Sequence, residues 1–330
     1  MAWKNLRQQD ISDALLSHHE ALEELDDVHE IINWSQIEQK LSHLNTSESG
    51  AKSYPPLMMF KIMILQAWYG LSDPQMEKQL ARDLMFRRFI QLSLSEPVPD
   101  HSTIWRFRNL LQERQLLEPL LNLINDQLDE ERLMITKGSI SIIDASIIEA
   151  KQSRPKKNKE GKSTQDPDAA YVSKVGSDGK RKTTYGYKLH INCDEDGFIG
   201  NLEYTSANVH DSQVFEEILT GYESEVYADS AYASQATNQL LGKKNKVLNR
   251  AYRNKPLTDD QKFENQQRSK TRSTVERVFG LMKLHQGLGK ARYMGLSRNK
   301  AGAMLLAMSH NIKCGMNIFK KYHKPQNSCA

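Results

Sequence analysis

The hydrophobic period of this chain changes once, near Lys137, and that change limits what the chain can fold into. Before it, apolar residues recur at helical spacing: Leu15, Leu22 and Leu25, then Ile32, Ile37 and Leu41. This predicts two or three helices across residues 11–44. From Pro55 to Trp68 the chain is apolar nearly all round, the pattern of a buried helix. Asp73 is the expected N-cap of the next helix, with Pro74 at its first position, and Asp100 or Ser102 caps HSTIWRFRNLLQER. After Lys137 come three extended runs, GSISIIDASII, YGYKLHINCD and GFIGNLEYTSANV. A helical stretch SQVFEEILTGY capped by Asp211, a strand EVYAD, a helix SQATNQLLGKK, a strand KVLNR and a helix around Glu276 follow. The last helix, SRNKAGAMLLAMSHNIKCGMNIF, is expected to pack its Met and Leu residues on the body.

With 330 residues, 38% hydrophobic and 26% charged, the composition is that of a soluble globular protein with ample core. Cys193, Cys314 and Cys329 are scattered and lack CxxC spacing, which argues against a disulfide framework and a zinc site and fits a reducing compartment. MAWKNLRQQD has no signal-peptide core and the apolar run Leu57–Leu65 is too short to span a bilayer, so a cytoplasmic location is expected. The formal charge of +4 is unevenly spread: residues 1–50 carry ten acids against three bases, leaving a basic body. That segregation suits a polyanionic partner, with a solvated helix pair as the plain account of the acidic leader.

In HSTIWRFRNLLQER, Ile104, Phe107 and Leu111 are assigned to one face, leaving Arg106, Arg108 and Asn109 outward. Outward Arg and Asn side chains can read guanine and adenine in the major groove, as a helix-turn-helix does; a helical bundle with a charged face is the other reading. Between Glu149 and Tyr185 lies a polar insertion with Arg154, Lys156, Lys157 and Lys159 at one end and Lys180, Arg181 and Lys182 at the other. It cannot bury a core; it is either a solvated excursion or a hold on a DNA backbone.

Two apolar runs arrive at carboxylates, Asp144 and Asp229, and a third carboxylate, Glu276, lies in TRSTVERVFGLMK. Neighbouring strands ending in like charges need compensation, which a divalent cation supplies. On a helix, Arg272, Glu276 and Lys283 fall within about 40° of one another, a polar stripe opposite Val275, Val278, Phe279 and Met282. The set points to an oxygen-lined metal site for phosphoryl transfer on DNA.

The matching stretches run almost end to end: PPLMMFKIMILQAWYGLSD, VPDHSTIWRFRNLL, IDASIIEA, YGYKLHI, TSANVHDS, YADSAY and RSTVERVFGLMK. On these the chain resembles the DDE-class transposases of bacterial insertion sequences, in the IS-five family. The order βββαβαβα likewise resembles the ribonuclease-H-like α/β fold, although other α/β topologies share it. Charge and helical spacing set apart an acidic helical leader (1–50), and the resemblance implies a helical DNA-binding region (51–132) and a ribonuclease-H-like catalytic domain (133–322) carrying the basic insertion 151–184. It implies Asp144, Asp229 and Glu276 as catalytic and metal-binding residues, Mg2+ (or Mn2+) as cofactor, and Arg272 and Lys283 as phosphate-orienting groups. The related R-x3-E-x6-K signature is met, but Ser269 stands where a Tyr is usual. Glu276 follows Asp229 by 47 positions, leaving little room for a large insertion.

The implied partners are double-stranded DNA, as terminal inverted repeats and target, and a second copy of the chain, since two ends must be joined. The implied activity is nicking at the element ends and joining of the 3′-OH ends to target DNA, in a bacterial, nucleoid-associated setting. Lys188 and His190 are secondary candidates for DNA contact. A catalytically silent transposase acting as a repressor is the alternative from another class. A plain nuclease and a tyrosine recombinase using Tyr232 or Tyr293 fit the residues less well.

Overall fold

The structure is a computed structural model that describes residues 20–44, 53–134, 139–152, 156, 158–159, 165–175, 179–252 and 255–323. The chain divides into two compact units, one formed by Met1–Leu133 with Met304–Ala330 and the other by Met134–Ala303. The expected third segment, 133–322, runs past this division, because Met304 onward belongs to the first unit.

The first unit is helical: α1 (Asp26–Ile31), α2 (Trp34–Leu41), α3 (Pro56–Trp68), α4 (Asp73–Arg82), α5 (Leu84–Ile90), α6 (His101–Glu113) and α7 (Leu117–Glu130). It is completed by residues from Met304 to His323 of the last helix, α10 (Leu296–His323). Helix α3 is the centre, buried without a break from Met58 to Trp68, as its all-round apolarity dictates. Its one cation, Lys61, lies 4.6 Å from the Trp34 ring centroid and 5.8 Å from that of Phe89. Burial pulls that ammonium down to about 8. Gly315 lies against Leu128, whose methyl would stand 2.7 Å from any Cβ at that position. Beside it, Asn311 donates to Asn125 at 2.7 Å, so the buried amides satisfy each other.

Two expectations for this unit need correction, and one lies outside what is described. Residues 11–19 lie outside the described residues, so the leader is represented only from Glu20 onward. Ser72, not Asp73, caps α4, through a capping box with Gln75. Arg108 does not face outward. It is 3% exposed, because it sits four residues after Ile104 and three before Leu111, on the face those two bury. Asp100 is the cap of α6, accepting from the Thr103 amide at 2.6 Å.

The second unit is a mixed α/β sheet with helices. Its strands are β1 (Ile140–Glu149), β2 (Ala170–Val175), β3 (Arg181–Cys193), β4 (Ile199–Ser206) and β5 (Glu225–Ala228), in the order β2-β3-β1-β5, with β4 also on β3. β5 runs parallel to β1 and the other pairs are antiparallel. Gly186 is required where β3 passes β1, since a Cβ there would run into the Ile148 carbonyl. Helices α8 (Gln235–Leu241) and α9 (Asp259–His285) follow, and α10 begins at Leu296.

Here too the sequence expectations shift. The stretch SQVFEEILTGY forms only a 3-10 turn, Asp211–Gln213, followed by further turns. Asn192 donates to the Ile218 carbonyl and Asn201 to that of Glu217, removing acceptors a helix would use. Its apolar residues Val214, Phe215 and Ile218 still enter the core, beside Ile143, Val226 and Ala228. KVLNR is no strand by ladder criteria, yet the Lys246 and Leu248 amides donate to the Val226 and Ala228 carbonyls along β5. The polar insertion supplies a strand, β2, which pairs with the first half of β3.

Candidate active site

Asp144 follows Ile142 and Ile143, both wholly buried in β1. The parallel pairing of β1 with β5 ends at Ile143 opposite Ala228, so Asp144 and Asp229 are the next residues on two adjacent strands. Asp144 is not at a strand tip, since β1 continues to Glu149 against β3; it stands where β5 stops. Its Oδ1 accepts from the Ala145 amide at 2.9 Å. Asp229 Oδ1 accepts from the Ser230 amide at 2.6 Å, capping the turn Ser230–Tyr232. Burial raises the Asp144 carboxyl above its ordinary value and the charge of Asp229 pushes the same way, while Arg272 opposes both.

The third strand of chain to reach this point is α9, opened by a Thr258–Gln261 capping box and fastened by Val275, Val278, Phe279 and Met282. That packing turns Arg272, Glu276 and Lys283 toward the polar side. Arg272 Nη2 lies 3.3 Å from Asp144 Oδ2 and 3.3 Å from Glu276 Oε1. Its Nε is buried without a hydrogen-bond partner. Lys283 is pulled below its ordinary value by burial first and then by the charge of Lys174, with Asp144 acting in the opposite sense. Arg272 and Lys283 therefore both feel Asp144.

The donor set is one of carboxylate oxygens, which suits a hard divalent cation and not zinc. The crowding of Asp144 by Asp229, set against the guanidinium placed between Asp144 and Glu276, is the charge problem such an ion relieves. Among the described residues, no three acidic, His or Cys side chains converge tightly enough to ligate one ion. In this arrangement the Arg272 guanidinium supplies the positive charge.

Tyr232 joins the site without having been assigned to it. Its ring is buried against Phe215 at 5.3 Å and its hydroxyl is buried without a partner. Burial pushes that hydroxyl up, and Asp211, Asp144 and Asp229 add to the shift. The signal was available in YADSAY, where a Tyr follows the carboxylate by three positions.

The candidate DNA contacts are distributed unevenly. Arg106 is exposed and Asn109 half-buried on α6, whereas Arg108 is consumed by Asp73 and Gln66. Lys156 is exposed and Lys157 lies outside the described residues. Lys188 is corrected as well: 6% exposed, it gives its ammonium to Asp211 at 2.8 Å and to the Val209 carbonyl at 2.6 Å. His190 is wholly buried, 3.0 Å from the Thr205 hydroxyl. Asp211 is no cap, because the His210 ring accepts from the Ser212 amide instead, which leaves Asp211 to pair with Lys188.

The family described as Transposase DDE domain matches residues 135–312, which include the whole carboxylate and cation set. The chain belongs to that family. It is a DDE transposase, and a second family, Transposase domain (DUF772), matches residues 11–110 of the helical part. A solved structure, the crystal structure of the Mos1 strand transfer complex, aligns at 11% identity over 77% of this chain and 85% of that one. Its TM-score of 0.21 lends no weight to either fold or function. Among the described residues, no helix of the transposase is long and apolar enough to cross a membrane.

Proposed function

We propose that this transposase is a member of the IS-five group that binds the terminal inverted repeats of its insertion sequence, nicks DNA at the element ends and joins the 3′-OH ends to target DNA. The observation that carries the reading is the meeting of Asp144 and Asp229 at the end of the β1–β5 pairing, with Arg272 bonded to both Asp144 and Glu276. The sheet order β4-β3-β1-β5, with residues 246–248 beside β5, supports a ribonuclease-H-like catalytic domain.

Asp144, Asp229 and Glu276, drawn closer than they stand with Arg272 between two of them, would hold Mg2+, or Mn2+ in its place. Bound there, such ions supply Lewis-acid polarisation of the scissile phosphate and a water of lowered pKa. Lys283, a point charge beside Asp144, holds a non-bridging phosphate oxygen. Arg272, released from its carboxylates, presents two donors to the same phosphate and offsets charge developing in the transition state. Asp229 is fixed by the Ser230 amide, which accounts for one of its two oxygens. Arg106 and Asn109 on α6 are the candidate readers of the element ends, and two copies of the chain bring two ends together in the bacterial cytoplasm.

Incubating purified protein with a duplex ending in the element's own inverted repeats, with and without Mg2+ or Mn2+, tests the reading on a denaturing gel. Nicking at the repeat boundary supports it. Specific binding with no nicking under either ion selects a silent, repressor-like transposase.

A further inference from the structure

We propose that β2 and the first half of β3 form a two-stranded ribbon that grips duplex DNA. Lys174 and Lys182, opposite each other across the ribbon, hold phosphates of the duplex that flanks the carboxylate cluster. The inference rests on the transposase reading and adds to it the surface that holds the DNA.

β3 behaves as two strands in one. From Tyr185 to Cys193 it is buried within the sheet, whereas Arg181, Lys182 and Thr183 are exposed and pair with β2. β2 is itself mostly exposed and, among the described residues, pairs only with β3. The register places Lys174 directly opposite Lys182. Like charges facing each other across an antiparallel pair destabilise it, and among the described residues neither lysine has an acidic partner. The strands contain no acid at all, AYVSKV and RKTTYGYKLHINC. The acids just ahead of β2 are engaged elsewhere: Asp166 accepts from the Gly295 amide at 3.1 Å and Asp168 from the Leu296 amide at 2.9 Å. A repulsive pair with no acidic partner among the described residues is what an anionic backbone would relieve.

Lys180, exposed and just ahead of β3, adds a cation at that end of the ribbon. At the other end, the charge of Lys174 bears on Lys283, which in turn feels Asp144. A two-stranded β-ribbon is of a size that the major groove of a duplex admits, and Lys and Arg contacts to its phosphates release counterions.

The test is a salt titration of the full chain on a fluorescently labelled random-sequence DNA duplex, comparing wild type with K174Q/K182Q. Each lost phosphate contact lowers the slope of log affinity against log salt by about 0.9, so the double variant should fall by about 1.8. Its melting temperature at low salt should be unchanged or raised, because a repulsion has been removed. A folded double variant with the wild-type slope overturns the ribbon assignment alone. Failure of the wild type to bind duplex even at low salt overturns the transposase reading together with it.

Discussion

Two carboxylate-bound arginines, one in each unit, do opposite things with the same chemistry. Arg108 meets Asp73 with both terminal nitrogens, at 2.5 and 3.2 Å, and Gln66 closes the triangle by accepting at 2.6 Å and donating to Asp73 at 2.7 Å. Its donors are short, bidentate and shut away from water, the pattern of a charge committed to the fold. Arg272 uses one nitrogen for two carboxylates, both at 3.3 Å, and its Nε is left buried without a hydrogen-bond partner. The contacts are longer than charge-assisted bonds usually are. A guanidinium so loosely held can exchange partners at little cost. The comparison separates a structural ion pair from one positioned to move.

The largest effect should come from the loose site. Asp144→Asn is expected to lower strand cleavage about 10^4-fold or more, the scale on which loss of a catalytic group is felt, with duplex affinity little changed. A gel assay and anisotropy on the same preparation read the two quantities, and a parallel fall in both would make Asp144 merely structural. Next is the tight site. Asp73→Ala strands a buried guanidinium and should cost about 3–5 kcal/mol in urea unfolding. A loss near zero would mean that Arg108 finds water.

The turn between β3 and β4 offers a third test, on the pH axis. Burial, with Asp196 adding, pushes the Asp194 carboxyl from 3.8 up to about 7, against three backbone amides that favour its charged form. The folded protein keeps a proton that the unfolded chain releases, so this group's contribution to stability declines as pH rises from 3.8 toward about 7 and levels off above. Asp194→Asn keeps the acceptor and cannot ionise. Its stability relative to wild type should therefore grow between those pH values, and a constant difference in urea midpoints would refute the assignment. The smallest effect belongs to Arg272→Gln, which should shift stability by no more than about 1 kcal/mol. A drop as large as that of Asp73→Ala would erase the contrast between the two arginines.

Much of this was legible in the residues because the signals are local. The apolar sweep of α3, the Asp100 cap and the strand carrying Asp144 each depend on a few neighbouring side chains. Arg108 was misplaced although its spacing was informative: positions 104, 108 and 111 share a face, and charge was weighed above periodicity. Lys188 and His190 could not be oriented by alternation, since β3 is buried on both faces from Tyr185 onward. The irregular path of residues 212–220 depends on amides from β3 and β4, partners far along the chain. β2 was hidden in a run too polar to read as strand, because its only requirement is the edge of β3.

Arg272, Glu276 and Lys283 all ride on α9, a single rod of 27 residues and about 40 Å. Its far end is tied down by Asn265, whose side chain both donates to and accepts from the backbone of Asn249, and by Arg268 on the Val247 carbonyl. A slight rotation or slide of this rod would carry all three groups together past the two aspartates on the sheet. The chemistry can thus be aligned or disarmed from a lever arm several turns away, and the mooring at residues 247–249 is where a partner or a substitution could work that lever.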